Sequence, residues 1–158
     1  MLKALWSGET VNYDGAFHHL RDATQVPGPI GKIPVVIGGT GPKTLALVRE
    51  HADWWNVPTT HLALLDRSRS LAGDARVSIQ QMVAYVGPGA DRDAVAAAAR
   101  RRFSPMNPVL GTGPELVDHF GRLADQGIER VYAWFSDFAP PDTLAAFGAE
   151  VIAPLSRT

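Results

Sequence analysis

The stretch Ile33-Pro34-Val35-Val36-Ile37-Gly38-Gly39-Thr40-Gly41-Pro42-Lys43-Thr44-Leu45 carries residue types and spacing suited to holding an anion. A short apolar run stops at two glycines, and a helix begins directly after them. That is the layout of a buried parallel strand feeding a helix N-terminus. Free backbone N–H groups meet the positive end of the helix dipole at such a junction, a combination that suits phosphate. Glycine lets the anion approach the backbone because no Cβ intervenes. The stretch is not a Walker loop, since Pro42 stands where that motif needs glycine before Lys-Thr. It is not a dinucleotide fingerprint either, because Thr44 occupies the place of the third glycine. A tight strand-to-helix turn with no ligand would use the same residues, so both readings stand at this point.

Other chemical groups are weaker candidates. His18, His19, His51, His61 and His119 show no metal spacing with carboxylates, so no metal site is expected. Trp54-Trp55 offers rings that could stack on a flavin. Adjacent strand residues face opposite ways, however, so at least one of the two belongs to the core. Tyr85 and Trp134 read as packing. Ser136 and Asp137 end the last strand, where substrate contact competes with the commoner role of loop capping. No Ser-His-Asp or Cys-His arrangement is legible.

Several elements must position these groups. Met1 to Trp6 reads as the tail of a helix with no visible start, which suggests that the chain begins inside a larger fold. Val11–Tyr13 and Ala16–His18 flank Asp14-Gly15, a hairpin turn pair. After the loop Pro27–Gly31 comes the strand at Ile33. A helix from Gly41 to His51 follows, with Thr40 as N-cap and Leu45, Val48 and Ala52 as its buried stripe. Trp54–Val57 is a strand, and His61–Ala72 a helix capped by Thr59 or Thr60 and ended at Gly73. Val77–Val86 is a strand, and Asp91 caps a helix to Arg102. Phe103–Leu110 is a Pro-rich loop. Thr112 opens the best-marked helix, with Glu115 completing a capping box, Leu116, Phe120 and Leu123 facing inward, and Gly127 ending it. Arg130–Phe135 is the last strand. Pro141 starts a helix with Leu144, Phe147, Val151 and Ile152 on one face. Gly-Thr-Gly-Pro occurs at Gly39 and again at Gly111, a shared way of starting a helix rather than a repeat.

Composition sets bounds. The chain has 158 residues, 46% of them apolar, with net charge −1 and no cysteine. That suits one folded domain, with no disulfide and no thiol chemistry. No basic stripe points to nucleic acid or an anionic membrane, and Arg100-Arg101-Arg102 complements the dipole at a helix end. No apolar run approaches 20 residues and no signal peptide is present, so a cytoplasmic protein is expected. Strand and helix alternate four times over residues 33–158, the mark of a parallel α/β sheet. Four units are too few for an eight-stranded barrel of about 250 residues. Yet Gly38-Gly39, Asn56, Gly87 and Ser136-Asp137 gather at strand C-termini, the face where barrel enzymes place their chemistry.

Leu5-Trp6-Ser7-Gly8-Glu9, Asp14-Gly15-Ala16-Phe17 and Ile33 to Gly39 resemble the luciferase-like flavin-dependent monooxygenases. Gly41–Leu45 followed by His51-Ala52-Asp53-Trp54-Trp55-Asn56 resembles the branch that uses the deazaflavin coenzyme F420. Gly111-Thr112, Glu115–Val117, Gly127–Arg130 and Glu150–Pro154 fit the same resemblance. It implies the C-terminal half of a TIM-type (β/α)8 barrel: one partial barrel domain, with residues 1–32 forming a helix tail, a hairpin insertion and a loop, and four strand–helix units after them. The cofactor it implies is FMN or coenzyme F420, and the activity an oxidoreductase acting on a small molecule. The family holds the cofactor phosphate on the backbone after its fifth strand, which corresponds here to Gly38, Gly39, Thr40 and Gly41, with Lys43 adding charge. The first four strands and most proton-handling groups would lie outside this chain, so no catalytic acid or base is assigned. A half barrel has two open sheet edges, so the expected partner is a second copy or a separate N-terminal half. Two rival readings are a non-catalytic assembly module and a free-standing four-stranded domain with a phosphate ligand.

Overall fold

A computed structural model describes residues 1–106 and 108–156. The chain divides into two compact units, Met1–Pro34 and Val35–Thr158. In the first unit, helix α1 spans Leu2–Leu5, and strands β1 (Val11–Asp14) and β2 (His19–Ala23) pair antiparallel. The sequence expectation of a two-residue turn at Asp14-Gly15 does not hold. Asp14 pairs with His19, so Gly15–His18 is a four-residue loop, closed by the Gly15 N–H donating to the His18 carbonyl. Phe17 therefore lies at the exposed loop tip rather than in a strand.

The second unit contains a five-stranded, all-parallel sheet. Its elements are β3 (Val36–Gly38), α2 (Pro42–His51), β4 (Trp54–Pro58), a 3-10 turn (Thr59–Leu64), α3 (Leu65–Ala72), β5 (Arg76–Tyr85), α4 (Arg92–Phe103), β6 (Val109–Gly111), α5 (Gly113–Asp125), β7 (Arg130–Phe135), α6 (Pro141–Phe147), a π turn (Gly148–Ile152) and α7 (Ala153–Leu155). Strands β3, β4, β5 and β7 lie side by side in chain order. Ser78 of β5 pairs with Asn56 on one side and Arg130 on the other. Val83 pairs with both Val109 and Phe135, so the short β6 extends the β4 side of β5. This sixth-numbered strand falls partly in the stretch expected to be a Pro-rich loop. Three residues are too few to show an alternation pattern, which is why the sequence did not reveal it.

The register assigns each side chain to a face. Ile37, Trp55, Val57, Val77, Ile79, Val83, Tyr85 and Phe135 share one face. They pack with Leu45 and Val48 of α2, Leu65 and Ala72 of α3, Leu116, Phe120 and Leu123 of α5, and Phe147 and Val151. The other face carries Val36, Trp54, Asn56, Ser78, Met82, Tyr132 and Trp134. Helix α4 serves that second face. Its buried Ala99 and Phe103 stand outside the main core, and Phe103 meets Trp134 edge-on at 5.5 Å. The crossover from β5 to β7 on the core face is therefore made by α5, and the simple strand–helix alternation breaks at α4.

Local signals explain most helix ends. Asp91 Oδ1 accepts the N–H groups of Asp93 (2.9 Å) and Ala94 (3.4 Å) at the start of α4. Asp91→Ala is expected to cost about 1 kcal/mol and lower the melting midpoint by roughly 2–4 °C; an unchanged calorimetric midpoint would show the cap to be idle. The last helix departs from expectation. Leu144 and Ile152 are more than half exposed, while Phe147 and Val151 are buried. The π turn adds width after Phe147, so the inward stripe runs Phe147 to Val151 and Ile152 is turned outward. Among the described residues no helix is long and apolar enough to cross a membrane.

Candidate functional site

Gly38 ends β3, and Gly39, Thr40 and Gly41 lead directly into α2. The turn is tied to β4 from both sides. The Gly39 N–H donates to the Asn56 carbonyl at 3.2 Å, and Trp55 Nε1–H donates to the Gly39 carbonyl at 2.8 Å. These bonds hold Gly39 at φ +121°, a region open to glycine and strained for other residues. A Cβ there would also come within 3.2 Å of Thr44 Cγ2. A Cβ on Gly41 would meet nothing within 4 Å, and one on Gly38 would come no closer than 3.5 Å to the Asn56 carbonyl. The space at Gly41 is thus open, while the Thr44 side chain borders Gly39.

The N-cap of α2 is Gly41, with Pro42 at the first helical position. Thr40 was expected to cap this helix; it stands one residue too early. Among the described residues no side chain caps α2. The ladder starts with the Leu45 N–H donating to the Gly41 carbonyl at 2.9 Å. The N–H groups of Lys43 and Thr44 precede that bond and are left, with the helix dipole, for an external acceptor. Lys43 is exposed at the same end. The five expected residues Gly38, Gly39, Thr40, Gly41 and Lys43 therefore lie together on one turn, at the C-terminal end of the sheet. Their chemistry fits a phosphate: a helix start with no side-chain cap and a cradle in which Gly38, Gly39 and Gly41 lack a Cβ.

The aromatic candidates play other parts. Trp55 is fully buried against the helices. Trp54, on the other face, is 4% exposed and held between guanidinium groups, with Arg76 at 4.2 Å and Arg130 at 3.7 Å from its ring. Neither presents a ring to a flavin. Tyr85 faces the helices, meets Phe147 edge-on at 5.5 Å and donates its hydroxyl to Glu150 Oε2 at 2.7 Å. Burial, with the Glu150 hydrogen bond and charge, pushes the Tyr85 hydroxyl up to about 12. No local pattern announces this pair, because 65 residues separate its members. Asp137 caps its loop: Oδ1 accepts the Ala139 N–H at 3.0 Å and Oδ2 the Thr143 hydroxyl at 2.6 Å. Among the described residues no group of three His, Asp or Glu side chains is placed to hold a metal.

The second Gly-Thr-Gly-Pro copy is closed where the first is open. Glu115 Oε2 accepts the Thr112 N–H at 2.7 Å and its hydroxyl at 3.1 Å, and Arg92 Nη1 at 2.8 Å. The Arg92 hydrogen bond, then the two from Thr112, hold the Glu115 carboxyl down at about 2. A carboxylate with a depressed value stabilises the fold above its ordinary 4.5, and that contribution is lost as pH falls towards 2. Glu115→Gln should therefore flatten the fall in stability between those limits; an acid unfolding curve superimposable on the wild type would contradict it. The same residue closes this helix start to an outside anion, whereas the aligned residue of the first copy is Lys43, a cation that accepts no N–H bond.

The family model described as luciferase-like monooxygenase matches residues 1–104. An F420-dependent glucose-6-phosphate dehydrogenase from Microbacterium testaceum (strain StLB037) is 36% identical over 53 residues, covering 34% of this chain and 16% of its own. A 5,10-methylenetetrahydromethanopterin reductase from Archaeoglobus fulgidus is 28% identical over 132 residues, covering 79% and 39%. Among solved structures, an F420-dependent secondary alcohol dehydrogenase in complex with an F420–acetone adduct superimposes with TM-score 0.70 at 15% identity, covering 96% of this chain and 58% of the other. A coenzyme F420 dependent tetrahydromethanopterin reductase from Methanopyrus kandleri gives 0.73 at 16% identity, covering 96% and 60%. These structural likenesses bear on the fold, which is α/β with a parallel, TIM-barrel-like sheet. The chain spans less than two thirds of the length of each of these relatives.

Proposed function

The chain belongs to the luciferase-like monooxygenase family, and from that membership we propose that it forms the phosphate-holding half of a deazaflavin-dependent oxidoreductase. The observation that carries this reading is the start of α2, which has no side-chain cap, above a turn in which three of four residues are glycine. The backbone of Gly38, Gly39, Thr40 and Gly41, with the first N–H groups of α2, would hold the phosphate of coenzyme F420, and Lys43 would add positive charge. When bound, the cofactor supplies hydride transfer to or from a small-molecule substrate. This chain's part is to fix the cofactor's anionic end and so orient its ring. The names of the similar proteins all specify F420 or a methanopterin reaction, which favours the deazaflavin over FMN.

The sheet's order supports a half barrel. Apart from the three-residue β6, which returns to the β4 side of β5, strands β3, β4, β5 and β7 succeed one another without the reversal that marks a doubly wound sheet. Both β3 and β7 have one unpaired edge within this sheet. Four further strands, from a second copy or from a separate N-terminal half, would close the ring and bring the proton-handling groups. The experiment is to mix the chain with the N-terminal half of an F420-dependent relative and follow F420 absorbance with candidate alcohol and sugar-phosphate substrates. Turnover by the mixture alone supports the reading. A stable homodimer that neither binds cofactor nor complements would favour the non-catalytic assembly module instead.

A further inference from the structure

Helix α4 ends in Arg100-Arg101-Arg102. Cations at a helix C-terminus complement the dipole, and the exposed Arg100 and Arg101 meet that need. Arg102 is different. Its Nη1 is buried and has no hydrogen-bond partner among the described residues. Aromatic rings take the place of acceptors: the guanidinium carbon lies 3.4 Å from the ring centre of Phe138 and 5.3 Å from that of Phe103. A ring face attracts a cation but accepts none of the in-plane N–H bonds that guanidinium offers. Buried donors are almost always satisfied, so an orphaned guanidinium nitrogen marks an acceptor that is missing.

The covering residue is placed at a cost. Phe138 is 81% exposed, yet its backbone has φ +65°, and Ala139 follows at +53°. Bulky residues rarely adopt that region, and such outliers gather at ligand sites. The two hydrogen bonds that Asp137 accepts from Ala139 and Thr143 hold the loop in this form. An exposed aromatic is thus laid over a half-buried guanidinium, one nitrogen of which is fully enclosed, by a strained and braced loop. Beside them Trp134, 44% exposed, stacks edge-on against Phe103.

We propose that Arg102 is the anchor of an oxyanion-binding site at the C-terminal end of β7, with Phe138 as a displaceable cover. The ligand class is a small molecule bearing a carboxylate or phosphate, whose paired oxygens match the guanidinium fork. The site is separate from the Gly38–Gly41 turn, because β3 and β7 stand at opposite sides of the sheet with β4 and β5 between them. Three strand spacings put roughly 14 Å along the sheet between the two strands. The proposal does not depend on the cofactor reading.

The test is calorimetric titration of the whole chain with inorganic phosphate and, separately, with succinate. Saturable binding of one of them is expected, and which one binds tells phosphate from carboxylate. Phe138→Ala, an exposed change, should tighten that binding several-fold. Arg102→Met should weaken it at least about tenfold, the loss of charge-assisted hydrogen bonds. Gly39→Val should leave it in place, which separates it from phosphate held at the α2 turn. Three results would overturn the proposal: no saturable binding by either the wild type or Phe138→Ala, no tightening in Phe138→Ala, or binding lost in Gly39→Val and kept in a folded Arg102→Met.

Discussion

Gly39→Val is expected to reduce binding of a phosphate-bearing cofactor by at least about 100-fold, as two charge-assisted bonds from the turn are lost. Two effects act together. Valine is strained at φ +121°, and its Cβ would press on Thr44 at 3.2 Å, so the turn must shift away from its bonds to Asn56 and Trp55. The N–H groups that aim at the anion then lose their direction. Gly41→Val separates approach from fold. Gly41 has an ordinary φ of −70° and open space at its Cβ position. That substitution should cost less than about 1 kcal/mol of stability while still placing a side chain where the proposed phosphate would sit. Loss of binding in both variants, with a near-normal melt for Gly41→Val, is the expected pattern. Full affinity in Gly41→Val would remove the turn from the account.

Leu116→Asp should abolish cooperative unfolding of the second unit. Leu116 is fully buried in the cluster that joins α5 to the sheet. The substitution removes a large apolar side chain and leaves a carboxylate with no partner in its place. A leucine cavity alone costs about 2–5 kcal/mol, and the unpaired polar group adds to it. The sum is comparable with the whole stability of an ordinary domain, about 5–15 kcal/mol. Loss of the near-ultraviolet dichroism and of a sharp thermal transition is expected. A melting curve like the wild type's would mean that α5 does not pack as described. Leu144→Asp is the matching control, since that side chain is more than half exposed and should tolerate the charge.

What the sequence made legible follows from the range of each signal. Capping and breaking residues act over a few positions, so Asp91, Thr112-Glu115 and Gly127 marked their helix ends well. Apolar periodicity identified Leu45, Val48, Leu116, Phe120 and Leu123 as core. It failed where register and geometry are set by distant partners. The start of β3 at Val36 rather than Ile33 is decided by pairing with Trp54. The second strand of the hairpin begins at His19 because Asp14 pairs there. The outward turn of Ile152 depends on a π turn that no composition rule announces. At the candidate site, the five residues proposed to hold phosphate could be grouped from sequence because they are contiguous or nearly so. Arg102 and Phe138 are 36 positions apart, and only the folded loop after β7 brings them together.

The most direct test of the central claim is a fluorescence titration of the purified chain with coenzyme F420 and, in parallel, with FMN. Saturable binding of F420 is expected, stronger than that of FMN and lost in Gly39→Val. Absence of F420 binding by a chain with an intact melt would contradict it, because the phosphate turn would then hold no cofactor on its own.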